Sequence, residues 1–173
     1  MPFLVTDDLD ARENRIMGFL EEREPVIAIL LAAADFERTV RRAILGLSTE
    51  PTKKIRKKLA SEYGAINKYP CAWQRFVTPR LKRVLALTSA GADEPTSVHE
   101  PVLTDFASIK RAFKLRNELV HGDHGTVGVE YASERVKTLL DATRAVTEYA
   151  QANDVDLMKR LKPRPRPRSR KQS

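Results

Sequence analysis

The sequence predicts an all-α protein, a bundle of about four main helices with shorter helices between them. Apolar residues recur at spacings of three and four along most of the 173 residues, which is the period of an amphipathic helix. The only stretch that resembles a strand is residues 126–129, and it is too short to build a sheet. A chain of this length favours one compact domain with its own core.

Each predicted helix is assigned from one apolar face and from residues that cap or break its ends. The second is the clearest, because its apolar residues keep a 3.6-residue register from Val26 to Leu47. An aspartate, Asp7 or Asp8, can cap the first helix, and Pro25 separates it from the second. The predicted spans are 7–24, 26–47, 52–63, 73–87, 102–121 and 133–153, with a surface connection over 89–100. We expect the second, fifth and last of these helices to form the core.

Charge is unevenly distributed along the chain. The formal net charge is +8, but eight of the 31 basic residues lie within residues 159–173, and the other 23 equal the 23 acidic residues in number. Residues 162–173 largely alternate proline with basic residues. Proline cannot donate a helical hydrogen bond, and like charges repel. The sequence therefore predicts a helical domain over residues 1–161 and an extended, disordered basic tail over 162–173.

A second basic zone lies inside the predicted domain. Residues 53–83 contain ten basic residues and a single acid, Glu62. Such a zone suits a polyanion such as RNA, because phosphate contacts release counterions. It is equally typical of a solvated helix face, with Ile55 and Leu59 as the buried side. Under the first interpretation, the RNA-binding candidates are Lys53, Lys54, Arg56, Lys57, Lys58, Arg80, Lys82 and Arg83.

The segment with the most chemistry is residues 116–121, Arg-Asn-Glu-Leu-Val-His, followed by Gly122. Glycine commonly terminates helices, so His121 is expected in the last turn. We expect Arg116 and Asn117 on the two flanks of the apolar row, with His121 one turn beyond Asn117. Polar groups beside a packed face are costly unless they are paired or used. The apolar row is formed by Val102, Phe106, Ile109, Phe113 and Val120.

These three side chains fit the cleavage of RNA without a metal. The reaction needs a base that takes the proton from the ribose 2′-OH, and histidine titrates in a suitable range. It also needs fixed positive charge where the phosphorane becomes negative, which arginine supplies. Asn117 can orient the histidine or hold a phosphate oxygen. The structural alternative is that Arg116 pairs with an acid of the second helix, Asp35 or Glu37, and that His121 is a cation at a helix C-terminus.

The spacing Arg-x4-His, with Asn directly after the Arg, resembles the signature of the HEPN superfamily. The resemblance implies a helical, homodimeric, metal-independent endoribonuclease without a cofactor, in which Arg116, Asn117 and His121 are catalytic. It also implies a toxin–antitoxin or anti-phage defence setting with a possible partner protein. Leu115 and Leu119 form a second apolar ridge that lies either at the dimer interface or inside the bundle. The alternative function is a non-catalytic helical module of the same fold that binds RNA, a nucleotide or a protein.

Other features narrow the class of protein further. The single cysteine, Cys71, excludes an internal disulfide and a cysteine zinc site. The His-Gly-Asp-His run over 121–124 offers too few ligands for a metal site. Some HEPN proteins carry a modified tyrosine two residues after the histidine, whereas this chain has Asp123, which puts that mode of control in doubt. No signal peptide or bilayer-spanning run is recognised, so we expect a cytoplasmic protein.

Overall fold

The computed structural model describes residues 8–79, 104–122, 126–159, 161 and 163–165. Within these ranges every regular element is a helix, so the prediction of an all-α bundle is confirmed. In the same ranges, no helix has both the length and the apolarity needed to cross a bilayer. The elements are α1 (Leu9–Glu21), α2 (Pro25–Leu47), α3 (Thr52–Ser61), a 3₁₀-helix (Ile66–Lys68), α4 (Tyr69–Phe76), α5 (Phe106–His121) and α6 (Val129–Ala152).

The central element of the bundle is α2. It packs most extensively against α6, and α5 lies against both of these helices, as predicted for the core. The ring of Phe36 on α2 meets the ring of Phe113 on α5 edge to face, with centroids 5.9 Å apart. This pair fixes where α5 lies on the core, because edge-to-face packing is a preferred aromatic geometry. Helix α1 covers α2 and α6, while α3 and α4 contact α2.

Helix ends follow local chemistry that the apolar pattern alone does not show. Asp8 caps α1, its Oδ1 accepting a hydrogen bond of 2.8 Å from the backbone N–H of Ala11. Helix α4 begins before its predicted start at residue 73, because Pro70 suits a first helical turn. Helix α6 begins at Val129, so the strand-like run over 126–129 is not a strand. The predicted continuation of α4 beyond residue 79 lies outside the described residues.

One ion pair lies inside the bundle and joins α1 to α2. The side chains of Arg12 and Asp35 are 2 % and 0 % exposed, and Nη1 of Arg12 donates to Oδ1 of Asp35. Nη2 of Arg12 also lies 3.7 Å from the sulfur of Met158, in the segment after α6. Burial raises the pKa of Asp35, and the charge of Arg12 opposes that rise. This pair is therefore part of the architecture.

The described part of the basic tail, residues 163–165, lies against the end of α2, which the sequence did not predict. The backbone N–H of Arg164 donates to Oγ1 of Thr52 at 2.9 Å. Its guanidinium donates to the carbonyl oxygens of Leu45, Gly46 and Glu50, the last two at 3.1 and 3.2 Å. The last carbonyls of a helix have no intrahelical partner, so an arginine that binds them acts as a C-terminal cap.

Candidate functional site at the end of α5

The motif residues lie in the last two turns of α5. Asp105 caps the start of this helix, and Gly122 ends it with φ of +78°. A left-handed residue at this position is common after helices, and glycine adopts it without steric cost. The N–H of Gly122 donates to the carbonyl of Glu118. His121 is therefore the last residue of the helix, as predicted, and its side chain is exposed.

Arg116 and Asn117 are joined by a hydrogen bond. Nη1 of Arg116 donates to Oδ1 of Asn117 at 2.9 Å. The buried face of α5 includes Ala112 and Leu115 as well as the predicted row, so it is turned towards Arg116. Arg116 is consequently half-buried, whereas Asn117 is exposed. The amide of Asn117 thus holds a guanidinium that emerges from the edge of the core.

Asn117 and His121 share an open groove of about 320 Å³ on the surface of α5. Its floor includes Phe113, which packs on α2, and one wall is Ile66 of the 3₁₀-helix. Arg116 does not line this groove but reaches it through Asn117. The structure therefore brings the three predicted residues together at one end of one helix. The groove is lined by Ile66, Lys110, Phe113, Lys114, Asn117, Glu118 and His121.

The structural alternative for Arg116 is wrong, because both proposed acids have other partners. Asp35 pairs with Arg12. Glu37 accepts a hydrogen bond of 2.9 Å from the hydroxyl of Tyr69 and lies 3.8 Å from the guanidinium of Arg41. An ion pair with α2 therefore does not account for Arg116.

The polar cluster around Tyr69 holds the wall of the groove in place. Nε of Arg41 donates to the Tyr69 hydroxyl at 2.8 Å, and Nη2 of Arg41 donates to the carbonyl of Gly64 at 3.2 Å. These bonds tie the segment before α4, which includes Ile66, to α2. Burial is the main reason that the pKa of Tyr69 is raised to about 12.

The sequence analysis missed two cations in the groove, Lys110 and Lys114. They matter because the C-terminal end of a helix carries roughly half a negative charge, which disfavours a phosphate near His121. Nζ of Lys114 lies 3.6 Å from Oε1 of Glu118, the only acid in the lining. Positions 110, 114 and 121 are spaced by four and seven, so helical periodicity could have identified them.

The basic residues predicted on α3 do not line this groove. Ile55 and Leu59 are the buried side of α3, as the solvated-face interpretation required. Lys54 pairs with Glu50 at 2.9 Å, and Lys58 pairs with Glu62 at 3.7 Å. Lys53, Arg56 and Lys57 are exposed on α3, while Arg80, Lys82 and Arg83 lie outside the described residues.

The second apolar ridge of α5 lies inside the bundle. Leu115 is buried, and Leu119 packs against the core, so this ridge is not a surface for a second subunit. Val120 in the last turn is the exposed apolar residue here, with 52 % of its surface accessible.

The described residues contain no group of three or more His, Cys, Asp or Glu side chains that could hold a metal ion. Asp123 and His124, which complete the His-Gly-Asp-His run, lie outside those residues. Comparisons of the chain with models of known protein families, with curated proteins and with solved structures found no match.

Proposed function

We propose that this protein is a metal-independent endoribonuclease of the HEPN type, with its catalytic residues at the end of α5. One observation carries the proposal. The guanidinium of Arg116 is held 2.9 Å from Asn117, and Asn117 shares an open groove with His121. Structural partners do not explain this arrangement, because Asp35 and Glu37 are engaged elsewhere. The Arg-x4-His spacing supports the same function through the family resemblance.

The proposed reaction is a transesterification of the RNA backbone. A base removes the proton from a ribose 2′-OH, the 2′ oxygen attacks the adjacent phosphorus, and the bond to the 5′ oxygen breaks. The products are a 2′,3′-cyclic phosphate and a 5′-OH, whose oxygen takes up a proton. His121 serves as base or acid, Arg116 stabilises the negative charge of the phosphorane, and Asn117 positions Arg116.

A homodimer would complete this site. The reaction involves two proton transfers, and the motif supplies one histidine per chain. A symmetric dimer with the ends of the two α5 helices close together provides two histidines and two arginines. The exposed side chain of Val120 is available for such a contact. Light scattering tests this directly, because Val120→Asp should shift a dimer towards monomer, and a fully active monomer at high concentration would remove the dimer.

The biological setting follows from the resemblance alone. We propose a cytoplasmic protein of a toxin–antitoxin or anti-phage defence system, held in check or triggered by a partner protein. Its RNA target is not specified by the motif, because the three catalytic groups act on the backbone and do not read bases.

The decisive experiment is cleavage of total RNA by the purified protein in the presence of EDTA. We expect cut ends with a 2′,3′-cyclic phosphate and a 5′-OH, which His121→Ala abolishes. Gln74→Ala is the control, because Gln74 is an exposed polar residue on α4 outside the groove. The proposal fails if His121→Ala cuts normally or if cleavage needs a divalent metal. RNA binding without cleavage would instead support the non-catalytic module.

A further inference from the structure

A second cavity adjoins the motif groove on α5. It has a volume of about 640 Å³ and lies nearer the start of the helix. Lys110 and Lys114 line both cavities, so the two form one trough along the helix. The second cavity is lined by Phe106, Ala107, Lys110, Arg111 and Lys114.

The two ends of this trough differ in chemistry. The motif end contains Asn117 and His121. The other end combines the aromatic ring of Phe106, whose inner side packs against the core, with cationic side chains. An aromatic face beside lysines is the combination with which proteins hold single-stranded nucleic acid, because bases stack on the ring and phosphates contact the cations.

The charges along the trough favour a phosphate chain. Lys110 is exposed and forms no ion pair with any described residue, and the side chain of Lys114 is 79 % exposed. Arg111 is directed towards Ser108, its Nη2 donating to the hydroxyl at 2.6 Å. At a rise of about 1.5 Å per residue, Lys114 lies about 10 Å before His121 along the axis, and Lys110 about 16 Å before it. Cations therefore continue from the motif for several turns.

We propose that Phe106, Lys110 and Lys114 form a nucleotide subsite for single-stranded RNA. One base of the strand stacks on Phe106, and the phosphates between that base and the cleaved bond contact Lys110 and Lys114. The subsite rests on the proposed function, since it holds the strand that extends from the motif groove. Only a single strand fits this role, because the bases of a duplex are stacked on one another and cannot reach Phe106.

Binding of a 2′-O-methyl RNA oligomer tests the subsite without cleavage, because this RNA lacks the attacking hydroxyl. Fluorescence anisotropy over a salt series would compare the protein with Lys110→Gln/Lys114→Gln. Each lost phosphate contact on a single strand lowers the log–log salt slope by about 0.7, so the double variant should lose about 1.4. Lys53→Gln/Lys57→Gln is the matched comparison, with the same charge change at the same spacing on α3, and we expect a smaller loss.

Phe106 is tested separately from the charges. Phe106→Leu keeps the apolar bulk and removes the aromatic face, whereas Phe106→Tyr keeps the face. We expect Phe106→Leu to weaken binding about tenfold with an unchanged salt slope, because base stacking on an aromatic ring is worth about one such factor or more. Phe106→Tyr should bind normally. Equal binding by the leucine and tyrosine variants would overturn the stacking.

Other outcomes separate the subsite from the proposed cleavage. An unchanged slope in the α5 double variant, or an equal loss in the α3 variant, would overturn the subsite even if the protein cuts RNA. Competition by a free mononucleotide as strong as that of the oligomer would also overturn it. A reduced slope in a protein that never cuts RNA would support the subsite and refute the endoribonuclease. In a protein that cuts, the α5 double variant should raise KM and leave kcat unchanged.

Discussion

Two arginines of this protein bind polar partners in opposite surroundings. Arg12 meets Asp35 in the interior, where the two side chains are 2 % and 0 % exposed. Arg116 meets Asn117, its neighbour in sequence, at the exposed end of α5. The first contact joins two helices, whereas the second lies within one helix and joins nothing else.

This difference separates a structural polar contact from a functional one. Removing one partner of a buried pair leaves an isolated charge, so both members are needed for folding. A contact between adjacent exposed residues adds little to stability, because water screens it. Asn117 and Arg116 therefore need another reason for their arrangement, and the groove that Asn117 shares with His121 provides one. The following predictions test this separation, from the largest effect to the smallest.

The largest effect is expected at the buried pair. Asp35→Ala should lower the free energy of unfolding by about 3–5 kcal/mol, because Arg12 is left buried without its counter-charge. The control is the double variant Arg12→Met/Asp35→Leu, which should fold with nearly the original stability. Urea denaturation measures both. A loss below about 1 kcal/mol for Asp35→Ala would show that this pair is no more structural than an exposed one.

The cluster around Tyr69 should make stability depend on alkaline pH. The pKa of Tyr69 is raised to about 12 from 10, so the folded state keeps the phenol proton more tightly than the unfolded state. This contribution is fully present below pH 10 and is lost as the pH rises through 12. Its ceiling is about 2.7 kcal/mol for two pH units.

Comparison with Tyr69→Phe isolates this term from the titration of lysines. The difference in free energy of unfolding between the protein and the variant should shrink between pH 9 and pH 12. A difference that stays constant over this range would place Tyr69 outside the structural class. RNA cleavage by the variant at neutral pH also reports whether the wall at Ile66 needs this cluster.

Asn117 should behave in the opposite way to Asp35. Asn117→Ala removes the hydrogen bond of 2.9 Å that holds Arg116. A hydrogen bond to a charged group is worth about 1.5–3 kcal/mol, so we expect cleavage to slow by about tenfold to a hundredfold. The unfolding midpoint should hardly change. Normal cleavage by Asn117→Ala would mean that Asn117 does not position Arg116 for the reaction.

The smallest effect is expected where the tail meets α2. Truncation after residue 165 should leave stability unchanged, whereas truncation after residue 161 removes the guanidinium bonds of Arg164 to the end of α2. The loss of such a cap should cost about 1 kcal/mol. Thermal unfolding of the two truncated proteins gives the comparison. Equal midpoints would return residues 162–165 to a separate tail.

The sequence predicted the parts of this molecule that depend on local pattern. The apolar register of α2 and the end of α5 at Gly122 are features of neighbouring residues, and both were recognised. The partner of Asp35 could not be predicted, because Arg12 lies 23 residues away on another helix and many acids compete for one arginine. The contact of Arg164 with α2 spans more than 100 residues and was missed for the same reason.

The basic residues show how charge alone misleads. The dense run on α3 drew the RNA-binding prediction, yet two of its lysines form ion pairs with acids on or beside the same helix. The sparser pair of Lys110 and Lys114 lies beside the motif. Charge density is a property of the sequence, but the position of a charge relative to a site depends on helix phase. The spacing from His121 carried that information and was not used.

The central claim is that Arg116 acts on substrate and not on the fold, and the cleavage rate of Arg116→Ala in EDTA tests it most directly. Loss of one group that stabilises developing negative charge typically slows catalysis by about 10²–10³-fold. We predict a reduction of this size in a protein whose free energy of unfolding changes by less than about 1 kcal/mol. Cleavage at the original rate, or unfolding of the variant, would contradict the account.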